Sequence, residues 1–183
     1  MSAWDSNRFK LLEARVKETL AGKRHVMDVP YFIFLYKPEL EIECLREFKG
    51  LASRLTREGF STEIISLASL MLDSLQSLGC LDESFLKLEK EKREQIATDF
   101  ERELLKEISR RLREKLKDRK ICDCVILLRA GSLFPFVHIS SLLGRLEGAV
   151  HCTLIIPYPG NKEGNMLNYT WENIRTYYRG EII

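Results

Sequence analysis

Five residues of this sequence have the types that grip an anion: Lys37, Arg129, Ser132, Tyr158 and Gly160. Lysine and arginine bring charge, the two hydroxyls and the glycine amide bring donors, and such a set suits a phosphate or carboxylate held by charge-assisted hydrogen bonds. Each stands just beyond an apolar, strand-like run. Lys37 follows Tyr31–Tyr36, Arg129 and Ser132 follow Cys124–Leu128, and Tyr158 and Gly160 follow Val150–Ile156. Two such runs joined by a helix form a βαβ unit, whose strands are parallel, so the turns after them share one rim of the sheet. The glycine pattern speaks against a nucleotide on that rim. Neither G-x-G-x-x-G nor G-x-x-x-x-G-K-[ST] follows a strand, Pro135 removes an amide, and Glu39 and Glu41 put negative charge at the other helix start.

Other chemistries find less support. Cys122 and Cys124 are two apart on a strand, hence on one face, and Cys152 falls on the neighbouring strand. Without a second C-x-x-C or an H-x-x-H to complete a tetrahedral set, these thiols read as small core residues, and neither a metal nor a cofactor is expected. His25, His138 and His151 pair with no nucleophile by spacing. Acid–base or metal-assisted hydrolysis needs carboxylates at strand ends, whereas the acids here sit in helices. No catalytic set is expected. Arg110, Arg113 and Lys117 belong to a basic segment between Lys106 and Lys120, which reads either as the solvated, dipole-favoured end of a helix or as a contact for nucleic acid.

The elements that must position these residues follow from periodicity. Phe9, Leu12, Val16 and Leu20 give an amphipathic helix over 6–20, capped by Asp5 or Ser6. Tyr31–Tyr36 is apolar at every position and is expected to be the central strand, covered on both faces. A helix over Glu39–Glu58 and a polar edge strand over Ser61–Ser66 come next. Leu67–Leu78 then forms a helix, a short helical piece starts near Asp82, and a long helix covers about 92–117. Its stripe recurs every four residues and drifts by roughly 40° per step against a 3.6 repeat, so the helix must bend or change partners. Strands 124–128 and 150–156 flank a helix ending at Leu146, the turn-rich residues 159–170 are expected to be a mobile loop, and 177–183 a last edge strand. The sum is a three-layer α/β fold: an open, mostly parallel sheet of about five strands, expected order 2-1-3-4-5, with a helical excursion between the second and third strands.

A chain of 183 residues, 45% apolar and 31% charged, suffices for one domain spanning 1–183. A net charge of +2 excludes nucleic-acid binding through bulk electrostatics alone. An odd count of cysteines, no leader-like opening and no long apolar run imply a cytoplasmic protein that does not enter a membrane.

Three stretches in this order resemble the BrxB family, a small component of bacteriophage-exclusion (BREX) defence systems: Leu128–Phe136 (Leu-Arg-Ala-Gly-Ser-Leu-Phe-Pro-Phe) with Leu142-Leu143 after it, Tyr158-Pro159-Gly160, and Tyr177-Tyr178-Arg179. The chain departs from that pattern at His138, Thr176 and Gly180, where arginine, asparagine and alanine are expected. The resemblance implies a non-catalytic adaptor beside a methyltransferase, an ATPase and an alkaline-phosphatase-like protein, PglZ. PglZ and other BREX proteins are the expected partners, with nucleic acid reached only through them. Alternative roles are a phosphate or nucleotide sensor using the rim and a nucleic-acid adaptor using the basic helix. For an adaptor, the expected docking surface is the carboxyl end: Trp171, Arg175, Tyr177, Tyr178 and Arg179 combine the aromatic and arginine side chains that interfaces favour, the alternative being that Trp171 and Tyr178 cap the sheet edge and cover the core.

Overall fold

A computed structural model describes the backbone of residues 4–24, 30–163, 166–169, 176–177 and 180–183, and their side chains except at 86, 88–97 and 161–177. The first helix, α1 (Ser6–Leu20), is opened by Asp5, whose carboxylate accepts from the Arg8 amide at 3.0 Å. Strand β1 (Tyr31–Tyr36) is buried at all positions. A 3-10 turn at Pro38–Leu40 leads into α2 (Glu41–Arg57), with Glu41 and Glu43 in its first turn and Arg54 and Arg57 in its last, the arrangement its dipole favours. Then come β2 (Thr62–Ser66) and α3 (Leu67–Ser77), capped by Ser66. α4 (Glu83–Leu116), β3 (Cys124–Leu128), a 3-10 turn at Ala130–Leu133 and α5 (Ile139–Leu146) continue the chain. It closes with β4 (Thr153–Glu163), β5 (Met166–Tyr169), β6 (Thr176–Tyr177) and β7 (Glu181–Ile182).

The fold class is the expected one, α/β with an open parallel sheet, but the strand order is β2-β3-β4-β1-β7 and not 2-1-3-4-5 in sequence order of the parallel strands. The two expected edges are the observed edges. Inside them β4 is the middle strand, and β1 lies between β4 and β7, with six register pairs from Tyr31↔Leu154 to Tyr36↔Pro159. β1 and β3 are therefore not neighbours, and the rim between them is floored by the end of β4. The connection from β1 to β2 passes over two strands in one direction while those from β2 to β3 and β3 to β4 return, which sends their helices to opposite faces.

Alternation along the strands divides the core accordingly. Phe32, Phe34, Tyr36, Ile126 and Ile155 pack under α1 and α2, with Phe9, Leu12, Phe48 and Leu51. Tyr31, Ile33, Val125, Leu127, Leu154 and Ile156 pack under α3, α4 and α5. Phe9, Phe34 and Phe48 meet edge to face at 5.0–5.7 Å between centroids, and full burial of each such ring stabilises by roughly 1.5–3 kcal/mol. α1 is also tied to α2 by Arg54, which grips the Glu13 carboxylate through Nε at 3.1 Å and Nη2 at 2.7 Å.

Three expected boundaries shift. The last edge strand, expected over 177–183, is Glu181–Ile182 among the described residues, while Tyr177 lies in β6 and pairs with β5. The short helical piece and the long helix are one element, α4, beginning at Glu83. The rings of Phe85 and Phe100 are 5.8 Å apart, whereas a straight helix would separate their Cα atoms by about 22 Å. The axis must turn sharply between them, which is one of the two outcomes the drifting apolar stripe allows. Residues 159–163 and 166–169, expected to lie in a mobile loop, are strand: β4 runs on past the parallel sheet and pairs antiparallel with β5, from Gly160↔Tyr169 to Glu163↔Met166, and β5 pairs with β6. Among the described residues no helix is long and apolar enough to cross a membrane.

Candidate functional site

The carboxyl edge of the sheet carries a cavity of about 420 Å3, lined by Arg8, Leu35, Tyr36, Lys37, Gly160, Ile182 and Ile183. Its position follows from the register. β1 ends level with Pro159, so Lys37 and Gly160 fall side by side at the tips of neighbouring strands. On the other side of β1, Ile183 donates to the Ile33 carbonyl at 2.9 Å and accepts from the Leu35 amide at 3.3 Å, which extends β7 to the cavity wall.

Arg8 is the member of this site that carries no sequence signal, because an arginine on the polar side of an amphipathic helix looks like any solvated residue. In the fold, its guanidinium lies over the Phe34 ring at 5.2 Å and donates through Nη2 to the backbone oxygens of Leu35, at 3.3 Å, and Ile183. The side chain is held in one place. Lys37 has extended backbone (φ −75°, ψ 136°) and is exposed; its carbonyl accepts from the Leu40 amide at 2.8 Å, while its ammonium makes neither an ion pair nor a hydrogen bond among the described residues. Tyr36 donates its hydroxyl to the Glu41 carboxylate. Burial first, and then the nearby Cys44 and Glu41, pushes the Tyr36 phenol above its ordinary range, so it stays a neutral donor.

The other expected rim residues share this edge but not the cavity lining. Arg129 is exposed and sits in the left-handed region at φ 63°; its carbonyl accepts from the Ser132 amide at 3.0 Å and hydroxyl at 2.7 Å. Its guanidinium makes no hydrogen bond or ion pair among the described residues. A non-glycine residue in that region marks a strained turn at a strand end. Tyr158 is buried in the core under α3–α5.

The basic segment is largely self-neutralised. Arg110 donates to Glu107 at 2.8 Å and to Glu114 at 2.9 Å, and Arg113 donates to the Arg145 carbonyl. Lys117 is exposed and unpaired among the described residues. The thiols of the third and fourth strands do not converge: Cys122 is exposed in the turn before β3, Cys124 packs under α1 and α2, and Cys152 packs in the opposite layer. Burial pushes Cys124 up to about 12 and Cys152 to about 11, so both are protonated thiols at neutral pH. Among the described residues, no three His, Cys, Asp or Glu side chains gather as a metal would require. Of the expected docking residues, Trp171, Arg175, Tyr178 and Arg179 lie outside the described residues, and Tyr177 is described only as backbone of β6.

An open α/β sandwich with all its five core strands parallel and a cavity at their carboxyl ends is the class of protein these features define. The family model described as BREX protein BrxB matches residues 63–182, about two thirds of the chain, and the chain belongs to the BrxB family. It is thus a component of a BREX defence system. No curated protein and no solved structure matches it.

Proposed function

We propose that this protein is a non-catalytic adaptor of its BREX system and that it docks the PglZ-like, alkaline-phosphatase-fold component through its carboxyl-terminal arm. The observation that carries this reading is the course of β4. The strand leaves the parallel sheet and continues to Glu163, paired antiparallel with β5 and through it with β6, so an extended platform stands outside the main sheet. The sequence of that platform is unlike a simple connection. Met166, Leu167, Tyr169, Trp171, Tyr177 and Tyr178 are large apolar or aromatic residues, and Arg175 and Arg179 accompany them.

Co-expression with the PglZ-like protein and the other BREX components, followed by pull-down, tests the reading. Trp171→Ala and Tyr178→Ala are expected to lose partner retention, by about 2 kcal/mol or more of binding, while melting like the parent. If both variants bind normally and stay folded, the arm is not the docking surface. A variant that fails to fold places the side chain in the core instead. Reading the chain as a nucleic-acid adaptor has weaker support, because Arg110 and Arg113 are already engaged within the molecule.

A further inference from the structure

The cavity at the carboxyl ends of β1, β4 and β7 adjoins the arm at Gly160, where β4 begins its pairing with β5. Two cations, Arg8 and Lys37, line it together with apolar surface from Leu35 and Ile182, and no aspartate or glutamate side chain does among the described residues. Two acids are tied to lining residues: Glu41 accepts from the Tyr36 hydroxyl, and Asp5 accepts from the Arg8 amide at 3.0 Å. Arg8 is fixed by Phe34 and two backbone oxygens, so its charge is pre-positioned, whereas the Lys37 ammonium has no partner among the described residues. Positive charge beside a low-dielectric wall focuses potential and attracts anions. The volume, about 420 Å3, is that of a small-molecule site and far larger than a bare inorganic ion fills.

We propose that this cavity binds a small organic anion, a phosphate or carboxylate group on an apolar body, with Lys37 as its counter-charge and Arg8 as a fixed positive wall. The apolar body takes up the surface of Leu35 and Ile182, and the Gly160 stretch of β4 brings backbone to the cavity with no side chain in between. The site lies at the carboxyl edge of a parallel sheet, the edge such folds use for ligands.

The test uses the full chain with four probes: phenyl phosphate, phenylacetate, inorganic phosphate and benzyl alcohol. At about ten times its Kd, phenyl phosphate or phenylacetate is expected to raise the melting temperature by about 3 °C. Which of the two acts more strongly identifies the anionic group. Inorganic phosphate and benzyl alcohol, each carrying half of the required chemistry, are expected to act at least about tenfold more weakly. Lys37→Gln, an exposed substitution that leaves the fold alone, is expected to weaken the organic anion by about tenfold, while Arg129→Gln, outside the cavity, leaves it unchanged. No rise with either organic anion overturns the proposal. So does an unchanged affinity in Lys37→Gln, a loss in Arg129→Gln, or inorganic phosphate binding as well as phenyl phosphate.

Discussion

Gly180 lies against Tyr31 so closely that a Cβ placed on it would stand 2.9 Å from the Tyr31 carbonyl oxygen. Its φ of +143° is also one that side-chain-bearing residues rarely adopt. Both facts come from threading the last strand against the start of β1, with Phe32↔Glu181 and Ile33↔Ile182 in register. Gly180→Ala is therefore expected to destabilise by about 2 kcal/mol, a fall of roughly 4–8 °C in melting temperature. An alanine variant that melts with the parent would mean that β7 does not sit as described. The resemblance to the BrxB pattern leads one to expect alanine at this position; the geometry of this chain demands glycine.

Tyr31 carries a second consequence. Its hydroxyl is buried and has no hydrogen-bond partner among the described residues, and burial, with lesser contributions from Cys152 and Glu147, pushes it up to about 12. A buried, unpaired donor costs about 1–3 kcal/mol. Tyr31→Phe removes the hydroxyl and keeps the ring, so the variant is expected to melt about 2–4 °C higher. A lower melting point would reveal a partner for that oxygen.

Arg129 is in the left-handed region and its guanidinium ties nothing down among the described residues. Arg129→Gly should relieve backbone strain and leave stability unchanged or raised by about 0.5–1 kcal/mol, despite the greater entropy of the unfolded glycine chain. Thermal melts of Arg129→Gly and Arg129→Ala check this: a clear loss in both would assign the side chain a structural contact.

Glu107 links the polar face of α4 to pH. Hydrogen bonds from Arg110, then Arg111, outweigh burial and lower its carboxyl from the ordinary 4.5 to about 2. A folded value below the unfolded one gives stability that is present above pH 4.5 and drains away as pH falls through about 2. Arg110 is more than half exposed, so solvent screening keeps the contribution to about 0.5–1 kcal/mol. Glu107→Gln is expected to melt about 1–3 °C below the parent at neutral pH, with the gap closing near pH 2. A gap that persists in acid would assign the effect to packing.

The family match begins at residue 63, yet β1 precedes it and sits inside the sheet between β4 and β7. A fragment beginning at Glu63 would leave an edge of β4 bare and one layer of the core without α1 and α2. It is expected not to fold alone, with collapsed amide dispersion in its NMR spectrum. A cooperative melt of that fragment would refute this.

How much of this could be read from residues alone depends on where the information lies. Both edges of the sheet were legible: Thr62 and Glu63 make β2 too polar for the interior, and the chain's last strand follows a turn-rich segment. The inner order was not, since Tyr31–Tyr36, Cys124–Leu128 and Leu154–Ile156 are all apolar, and nothing in their composition says which lies beside which. The β4–β5 pair was hidden by Pro159, Gly160 and Asn161, which read as loop. Its one sequence signal is Gly164-Asn165, a two-residue hairpin dipeptide between possible strands. Of the rim, Lys37 and Gly160 were placed together by strand ends, whereas Arg8 joins them only through tertiary packing of α1.

The position of β1 has a consequence for synthesis. Its two neighbours in the sheet, β4 and β7, leave the ribosome about 120 and about 145 residues after it, an interval of roughly 6–30 s at ordinary elongation rates. During that time Tyr-Phe-Ile-Phe-Leu-Tyr, six uncharged residues of high strand propensity, has no partner strand of its own. α1 is already made and α2 emerges next, and both belong to the layer that covers Phe32, Phe34 and Tyr36. The amino-terminal third of the chain thus acts as the nascent strand's own escort until the sheet can admit it.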